Sequence, residues 1–263
     1  MKTIKDILQA KREGKKITML TAFDYLTASL IDEADIDIIL VGDSLAMVGL
    51  GYKTTLPVTM QEMLHHTKAV VRGTKNALVV GDMPFMSYQV NEDEAVKNAG
   101  LFLKEAGAAA VKLEGAGSSV KLTKRLTSIG IPVMGHLGLT PQSINQLGGY
   151  DVQAANEEMA KALMENAKAL EDAGAFSLVL EKIPADLGKK VSKMLSIPTI
   201  GIGAGADCDG QVLVTQDLLG LFTKFKPKFV KRYGELGKLM KEAFSKYRQE
   251  VEKGKFPDKE HSY

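Results

Sequence analysis

Short apolar runs separated by amphipathic stretches set the rhythm of this chain. Ile38-Ile39-Leu40-Val41, Ala77-Leu78-Val79-Val80, Ala109-Ala110-Val111 and Phe176-Ser177-Leu178-Val179-Leu180 are apolar without strict alternation. Such runs predict strands buried on both faces, as in a parallel sheet. Between them apolar residues recur at helical spacing. Ile4, Ile7 and Leu8 share one face of a predicted first helix over 3–12, with Gly14 after its end. Tyr25 to Ala34 predicts a second helix. Thr59-Met60-Gln61-Glu62 is a capping box that opens a third, and Asn91-Glu92-Asp93-Glu94 opens a fourth that stops at Gly107. Helices are also predicted over 118–129, 152–173 and 184–195. Strands are predicted at 17–22, 36–41, 77–82, 109–114, 131–136, 175–181 and 198–202, with a short last one near Val212 to Val214.

Eight strands alternating with helices predict an α/β fold with right-handed parallel crossovers. In 263 residues that favours a closed (β/α)8 TIM barrel over an open sheet. No Pro/Ser-rich linker divides the chain, so one domain over 1–263 is expected, with a helix before the first strand and a basic helical segment from about 227 to 263.

Composition excludes more than it selects. Hydrophobic residues make up 45% and charged ones 25%, as in globular proteins. Cys208 is the only cysteine, so neither an intrachain disulfide nor a cysteine zinc site can form. The opening Met1-Lys2-Thr3-Ile4-Lys5-Asp6 lacks the apolar centre of a signal peptide, and no run approaches the roughly 20 apolar residues of a membrane span. A cytoplasmic location without membrane partners is expected. The net charge of +2 hides an asymmetry, since residues 222–263 carry +6 and the remainder −4. The bases of that segment are interleaved with acids and accompany no binding motif, so it reads as a solvated helix face rather than a nucleic-acid surface.

The chemistry sits where the apolar runs stop. Four end on an acid: Asp43, Asp82, Glu114 and Glu181. A carboxylate at the C-terminal end of a buried strand is costly unless something uses it, and in a barrel those ends converge on one mouth. Asp43, Asp82 and Glu114 are candidate Mg²⁺ ligands, since this ion takes one or two carboxylates plus substrate oxygens and water; each could instead cap a following helix. Asp43 and Asp82 each follow a glycine, read as room for close approach of a ligand. Lys112, two residues before Glu114, shares its face of the strand. It suits a substrate carboxylate, a Schiff base or a buried salt bridge, and flanking acids keep it protonated, against the Schiff base. Glu181 is a candidate general base or the cap of the helix after Pro184. His136 closes the predicted fifth strand. His65, His66 and His261 read as structural or solvated. Gly201-Ile202-Gly203-Ala204-Gly205 suits either a bound phosphate or a tight turn.

Val41-Gly42-Asp43-Ser44-Leu45, Gly81-Asp82-Met83-Pro84-Phe85, Val111-Lys112-Leu113-Glu114-Gly115, Gly135-His136-Leu137-Gly138-Leu139-Thr140-Pro141-Gln142, and Gly201-Ile202-Gly203-Ala204-Gly205 followed by Asp209-Gly210-Gln211-Val212-Leu213 occur in this order. Together they resemble the ketopantoate hydroxymethyltransferase family from about residue 3 to 230. The resemblance implies a (β/α)8 barrel enzyme of pantothenate and coenzyme A synthesis. It would transfer a hydroxymethyl group from 5,10-methylenetetrahydrofolate to 3-methyl-2-oxobutanoate, giving 2-dehydropantoate by an aldol-type reaction through an enolate that Mg²⁺ stabilises. It further implies Mg²⁺ held by Asp43, Asp82 and, through water, Glu114. The keto acid would contact Ser44, Asp82 and Lys112, and Glu181 would accept the proton; apart from the resemblance, His136 is expected to orient substrate or water. The resemblance also implies a large homo-oligomer, commonly a decamer of two rings. The nearest rival is a Mg²⁺-dependent lyase or mutase of the isocitrate lyase and phosphoenolpyruvate mutase group. Many of those lyases rely on a cysteine in a Lys-Cys-Gly-His type of loop, which Ala206-Asp207-Cys208-Asp209 does not resemble.

Overall fold

The computed structural model describes residues 1–223 and 226–263; Lys224 and Phe225, part of the basic segment, lie outside the described residues. The chain divides into two compact units, Met1–Val214 and Thr215–Tyr263.

The first unit holds eight strands: β1 Ile17–Thr21, β2 Ile38–Val41, β3 Leu78–Asp82, β4 Ala110–Glu114, β5 Val133–Gly138, β6 Ser177–Glu181, β7 Thr199–Ile202 and β8 Gly210–Leu213. They close in chain order into a parallel barrel, β8 returning to β1 with Met19 beside Val212. Around and between them run α1 Ile4–Arg12, α2 Tyr25–Glu33, α3 Leu45–Val48, α4 Met60–Gly73, α5 Glu92–Lys104, α6 Ser118–Ser128, α7 Ile144–Leu147, α8 Glu157–Asp172 and α9 Ala185–Met194. The second unit holds α10 Thr215–Leu218 and α11 Leu236–Glu252. No residue of α11 is buried, and Met240, Phe244, Tyr247 and Val251 expose an apolar stripe at helical spacing. No helix among the described residues is long and apolar enough to cross a membrane.

Several boundaries differ from expectation, most by a residue or two, and three of the differences have a clear cause. The fifth strand spans 133–138 rather than 131–136, because Pro132 has no N–H to give the ladder, and His136 therefore sits inside it. The helix expected from 152 begins at Glu157, where Asn156 in extended conformation accepts from the Met159 N–H at 2.8 Å. The last strand begins at Gly210, hidden because Gly210 and Gln211 break the apolar pattern. The glycine-rich segment joins β7 to β8 with no helix between them.

Strand alternation fills the barrel. Ile17, Met19, Ile38, Leu40, Leu78, Val80, Ala110, Met134, Val179, Ile200 and Val212 form one inner cluster. Ile7 of α1 joins them, so α1 closes the N-terminal end. That end is stapled by acids. Asp32 accepts from the backbone N–H groups of Lys75, Asn76 and Ala77, just before β3, at 2.8–3.2 Å. Asp37 binds the N–H and hydroxyl of Thr18 in β1, each at 2.8 Å. Glu171 binds Ser196 and Ile197 ahead of β7. Asp209 binds Thr199 at the start of β7 and Lys11 of α1.

Candidate active site at the C-terminal mouth of the barrel

The inner columns of side chains turn polar at the opposite end. Leu78 and Val80 lead to Asp82; Ala110 leads to Lys112 and Glu114; Met134 leads to His136; Val179 leads to Glu181. Period-two alternation puts each set on one face, and the register sets them side by side, Asp82 beside Lys112 and Glu114 beside His136. Asp43 follows the end of β2 after Gly42. The mouth thus gathers Asp43, Asp82, Lys112, Glu114 and His136, all buried, with Glu181 at the rim.

Two glycines make this possible, one in a different way than expected. The space a side chain would take at Gly81 is filled by the Phe102 ring of α5. That glycine therefore serves helix packing behind Asp82, not ligand approach. Gly138, at φ +94°, passes against the Glu181 carbonyl where a Cβ would collide with it.

Lys112 is the electrostatic hub. Its Nζ lies 2.8 Å from Asp82 Oδ1, 3.6 Å from Glu114 Oε1 and 3.3 Å from His136 Nδ1. Burial disfavours the ammonium, but Asp82, Glu114 and Asp43 outweigh it and hold the lysine pKa above its ordinary value. A Schiff base needs the neutral amine, which this setting suppresses. His136 bridges two acids, with Nδ1 3.3 Å from Glu114 Oε1 and Nε2 3.2 Å from Glu181 Oε2. Burial and the neighbouring Lys112 lower its pKa, yet the two carboxylates win and raise it to about 9. The ring thus lies between two carboxylates, with Nδ1 also beside the Lys112 ammonium. Nε2 and Glu181 are within ion-pair distance but not aligned as a hydrogen bond.

The acids feel each other. Burial first, then repulsion from Asp82 and Glu114, drives the Asp43 pKa well above the carboxylate range. Burial also raises Asp82 against the pull of Lys112. Glu114 is lowered instead, because Lys112 and His136 overcome its burial. Four carboxylates face two cationic side chains, an excess of two negative charges when all are ionised. Asp82 Oδ1 and Glu114 Oε1 are buried and accept no aligned hydrogen bond. Among the described residues no group of three or more His, Cys, Asp or Glu forms a preformed metal cage. Two aspartates short of positive charge are nevertheless the donor set that Mg²⁺ takes when water and a ligand complete its shell, so the residues fit such an ion.

Ser44 lies beside Asp43 at the start of α3, and its hydroxyl makes no capping bond. Cys208 is fully buried, one residue before Asp209 at the far end of the barrel. His66 bonds the Phe23 carbonyl at 2.6 Å and His261 pairs with Asp258, as structural and solvated histidines do. The glycine-rich segment packs Gly205 against Ala185 at the start of α9. Sequence reading gave no role to Gln142 or Tyr88, although both are buried here. Gln142 Nε2 donates to Asp43 Oδ2 at 3.0 Å, its N–H donates to Glu114 Oε2 at 3.0 Å, and Tyr88 Oη donates to its Oε1 at 2.7 Å. Tyr88 follows no apolar run, and only the segment ending in Gln142 could have drawn attention to that residue.

A closed (β/α)8 barrel with an acid-rich, cation-ready mouth defines the broad class. The same fold occurs in phosphonopyruvate hydrolase, solved with oxalate and Mg²⁺ (TM-score 0.64, 14% identity, covering 99% of this chain and 93% of that one). It also occurs in 2,3-dimethylmalate lyase (TM-score 0.59, 16% identity, 100% and 92%). Sequence is more specific. The family model described as ketopantoate hydroxymethyltransferase matches residues 1–259. Proteins called 3-methyl-2-oxobutanoate hydroxymethyltransferase are 60% identical in Clostridium botulinum (99% of this chain, 95% of that one) and 58% identical in Syntrophus aciditrophicus (96% and 93%). The chain belongs to the ketopantoate hydroxymethyltransferase family.

Proposed function

We propose that this protein transfers a hydroxymethyl group from 5,10-methylenetetrahydrofolate to 3-methyl-2-oxobutanoate, forming 2-dehydropantoate. The observation that carries the reading is the convergence of Asp43, Asp82, Lys112, Glu114, His136 and Glu181 on one barrel mouth, in a chain of this family. Asp43 and Asp82 would hold Mg²⁺, with Glu114 through water. When bound, the ion supplies Lewis-acid stabilisation of charge growing on the keto oxygen. Lys112, fixed between Asp82 and Glu114, offers its ammonium to the substrate carboxylate, beside the Ser44 hydroxyl. Glu181 at the rim takes the C3 proton. His136, held from behind by Glu114, keeps a positive group next to Glu181 Oε2 and so orients that carboxylate. The resulting carbon nucleophile forms a C–C bond to the one-carbon unit brought by the folate; the bonds from that unit to the folate nitrogens break, water supplies the hydroxyl oxygen, and tetrahydrofolate leaves with the protons released.

The lyase or mutase reading draws support from fold likeness alone, and Cys208, buried away from the mouth, offers it no catalytic thiol. The exposed apolar stripe of α11 supports assembly into a homo-oligomer, for which ten copies are the expectation. A lone buried cysteine is compatible with a reducing cytoplasm.

Product formation from the two substrates, followed by mass spectrometry with Mg²⁺ and with EDTA, tests the reading. Mg²⁺-dependent 2-dehydropantoate is expected, and its absence from folded, Mg²⁺-supplied protein would refute it. Glu181→Gln should slow exchange of the C3 proton by about 10²- to 10⁴-fold while leaving keto-acid affinity within a few fold; unchanged exchange removes Glu181 from the role of base.

A further inference from the structure

Gln142 is the most fully bonded side chain at the mouth. Its Nε2 donates to Asp43 Oδ2 at 3.0 Å and to the Met83 carbonyl at 2.9 Å. Its Oε1 accepts from Tyr88 Oη at 2.7 Å and from Gln89 Nε2 at 3.2 Å. The orientation of the amide follows from its partners. The Met83 carbonyl can only accept, so it must face the NH₂. Tyr88 Oη accepts the Glu114 N–H at 3.2 Å, which leaves its single proton for Gln142 Oε1.

The consequence is a shared pattern in the acids. Asp43 Oδ2 is held by the Gln142 side chain, Glu114 Oε2 by the Gln142 N–H, and Asp82 Oδ2 by the Asp43 N–H at 3.1 Å. Each carboxylate has one oxygen tied down by a neutral donor. The second oxygens of Asp82 and Glu114 are buried without an aligned hydrogen bond and face the Lys112 ammonium at 2.8 and 3.6 Å, whereas that of Asp43 accepts no hydrogen bond among the described residues. A neutral amide suits this task. A lysine or arginine at 142 would place a cation on Asp43 and compete with a bound metal, and a glutamate would set a further carboxylate against Asp43 and the Met83 carbonyl.

We infer that Gln142, oriented by Tyr88, is a positioning residue that locks the ends of β2, β3 and β4, turning the untied oxygen of Asp43 towards a divalent cation and those of Asp82 and Glu114 into the Lys112 side of the same site, where the keto-acid ligand completes it. It acts through Asp43 and Glu114 and touches no reacting atom. The inference rests on the proposed function, and the test separates the two.

Gln142→Met keeps the length of the side chain and removes every polar contact of its amide. Mn²⁺ binding followed by electron paramagnetic resonance, and calorimetry of Mg²⁺ with 3-methyl-2-oxobutanoate, should show affinity about 10- to 100-fold weaker, the loss expected for a charge-assisted hydrogen bond. The KM for the keto acid should rise in step, with kcat changed less, the KM for the folate unchanged and the melting temperature within a few degrees of wild type. Tyr88→Phe removes one proton and should shift the same quantities in the same direction by about 3- to 10-fold. Wild-type cation affinity in folded Gln142→Met, or a fall in kcat alone, overturns the inference. If Gln142→Met does not fold, Tyr88→Phe decides, and unchanged binding there overturns it. A wild-type protein that binds neither Mg²⁺ nor the keto acid refutes the proposed function and the inference with it; variants that match a wild type that does bind them refute the inference alone.

Discussion

The two ends of the barrel each gather acidic side chains and hold them in opposite ways. At the N-terminal end Asp32, Asp37, Glu171 and Asp209 point at backbone N–H groups where strands begin. At Asp32 burial works against the charge, yet the N–H groups of Ala77, Asn76 and Lys75 prevail and hold its pKa below the ordinary value. At the C-terminal end Asp43 and Asp82 are buried among like charges and their pKa values rise. Backbone donors saturate one set, whereas the other is left short of positive charge. The first arrangement stabilises the fold. The second costs stability and leaves oxygens for a ligand, the usual division between the two faces of such a barrel.

The comparison breaks first at Asp32. Asp32→Ala strips three backbone donors of their acceptor, the buried Ala77 N–H among them, and should cost about 3 kcal/mol. A melting temperature roughly 6–12 °C lower is expected, with keto-acid KM unchanged in the folded fraction. A wild-type melting temperature would deny the N-terminal acids their structural role.

Glu171 sharpens the same point through pH. Burial opposes its charge, but Lys168, Ser196 and the Ile197 N–H bring its pKa from 4.5 to about 2. A depressed carboxylate pKa gives stabilisation that is complete above the unfolded value and lost as pH falls through the folded one. Thermal stability should therefore decline between about pH 4.5 and pH 2. Glu171→Gln should lower the neutral-pH melting temperature by about 4–8 °C, for a loss of about 2 kcal/mol, and flatten that acid limb. Parallel acid limbs in variant and wild type would show the charge contributes nothing.

Asp43 should respond with the opposite sign. A raised pKa means that folding favours the neutral carboxyl, so Asp43→Asn, neutral at every pH, should stabilise the protein by about 1 kcal/mol, roughly 2–4 °C. The same variant should bind Mg²⁺ and keto acid far more weakly. Scanning calorimetry beside a binding titration checks both, and a melting temperature below wild type would end the contrast between the two faces.

Much of this was legible along the chain. Apolar runs located six strands closely, because a strand buried on both faces leaves little room for polar residues. The acids ending those runs were visible for the same reason. The eighth strand was blurred because Gly210 and Gln211 are not apolar, and the fifth was displaced because Pro132 lies within its apolar approach. Asp32 and Glu171 sit in helices as ordinary polar residues, and nothing in their local pattern shows that each clamps a strand far along the chain.

Sequence by itself determined the alternating strands and helices, the acids and the lysine at strand ends, and the common face of Lys112 and Glu114, since these follow from local periodicity and backbone geometry. Closure of the barrel decided the rest. It brought Asp43, Gln142 and Tyr88 from separate loops into one hydrogen-bonded network, and set His136 between Glu114 and Glu181. It also gave the acids at its two ends opposite electrostatic fates. Charge and hydrogen bonding depend on distances between residues remote in the chain, and the packed barrel fixes those distances.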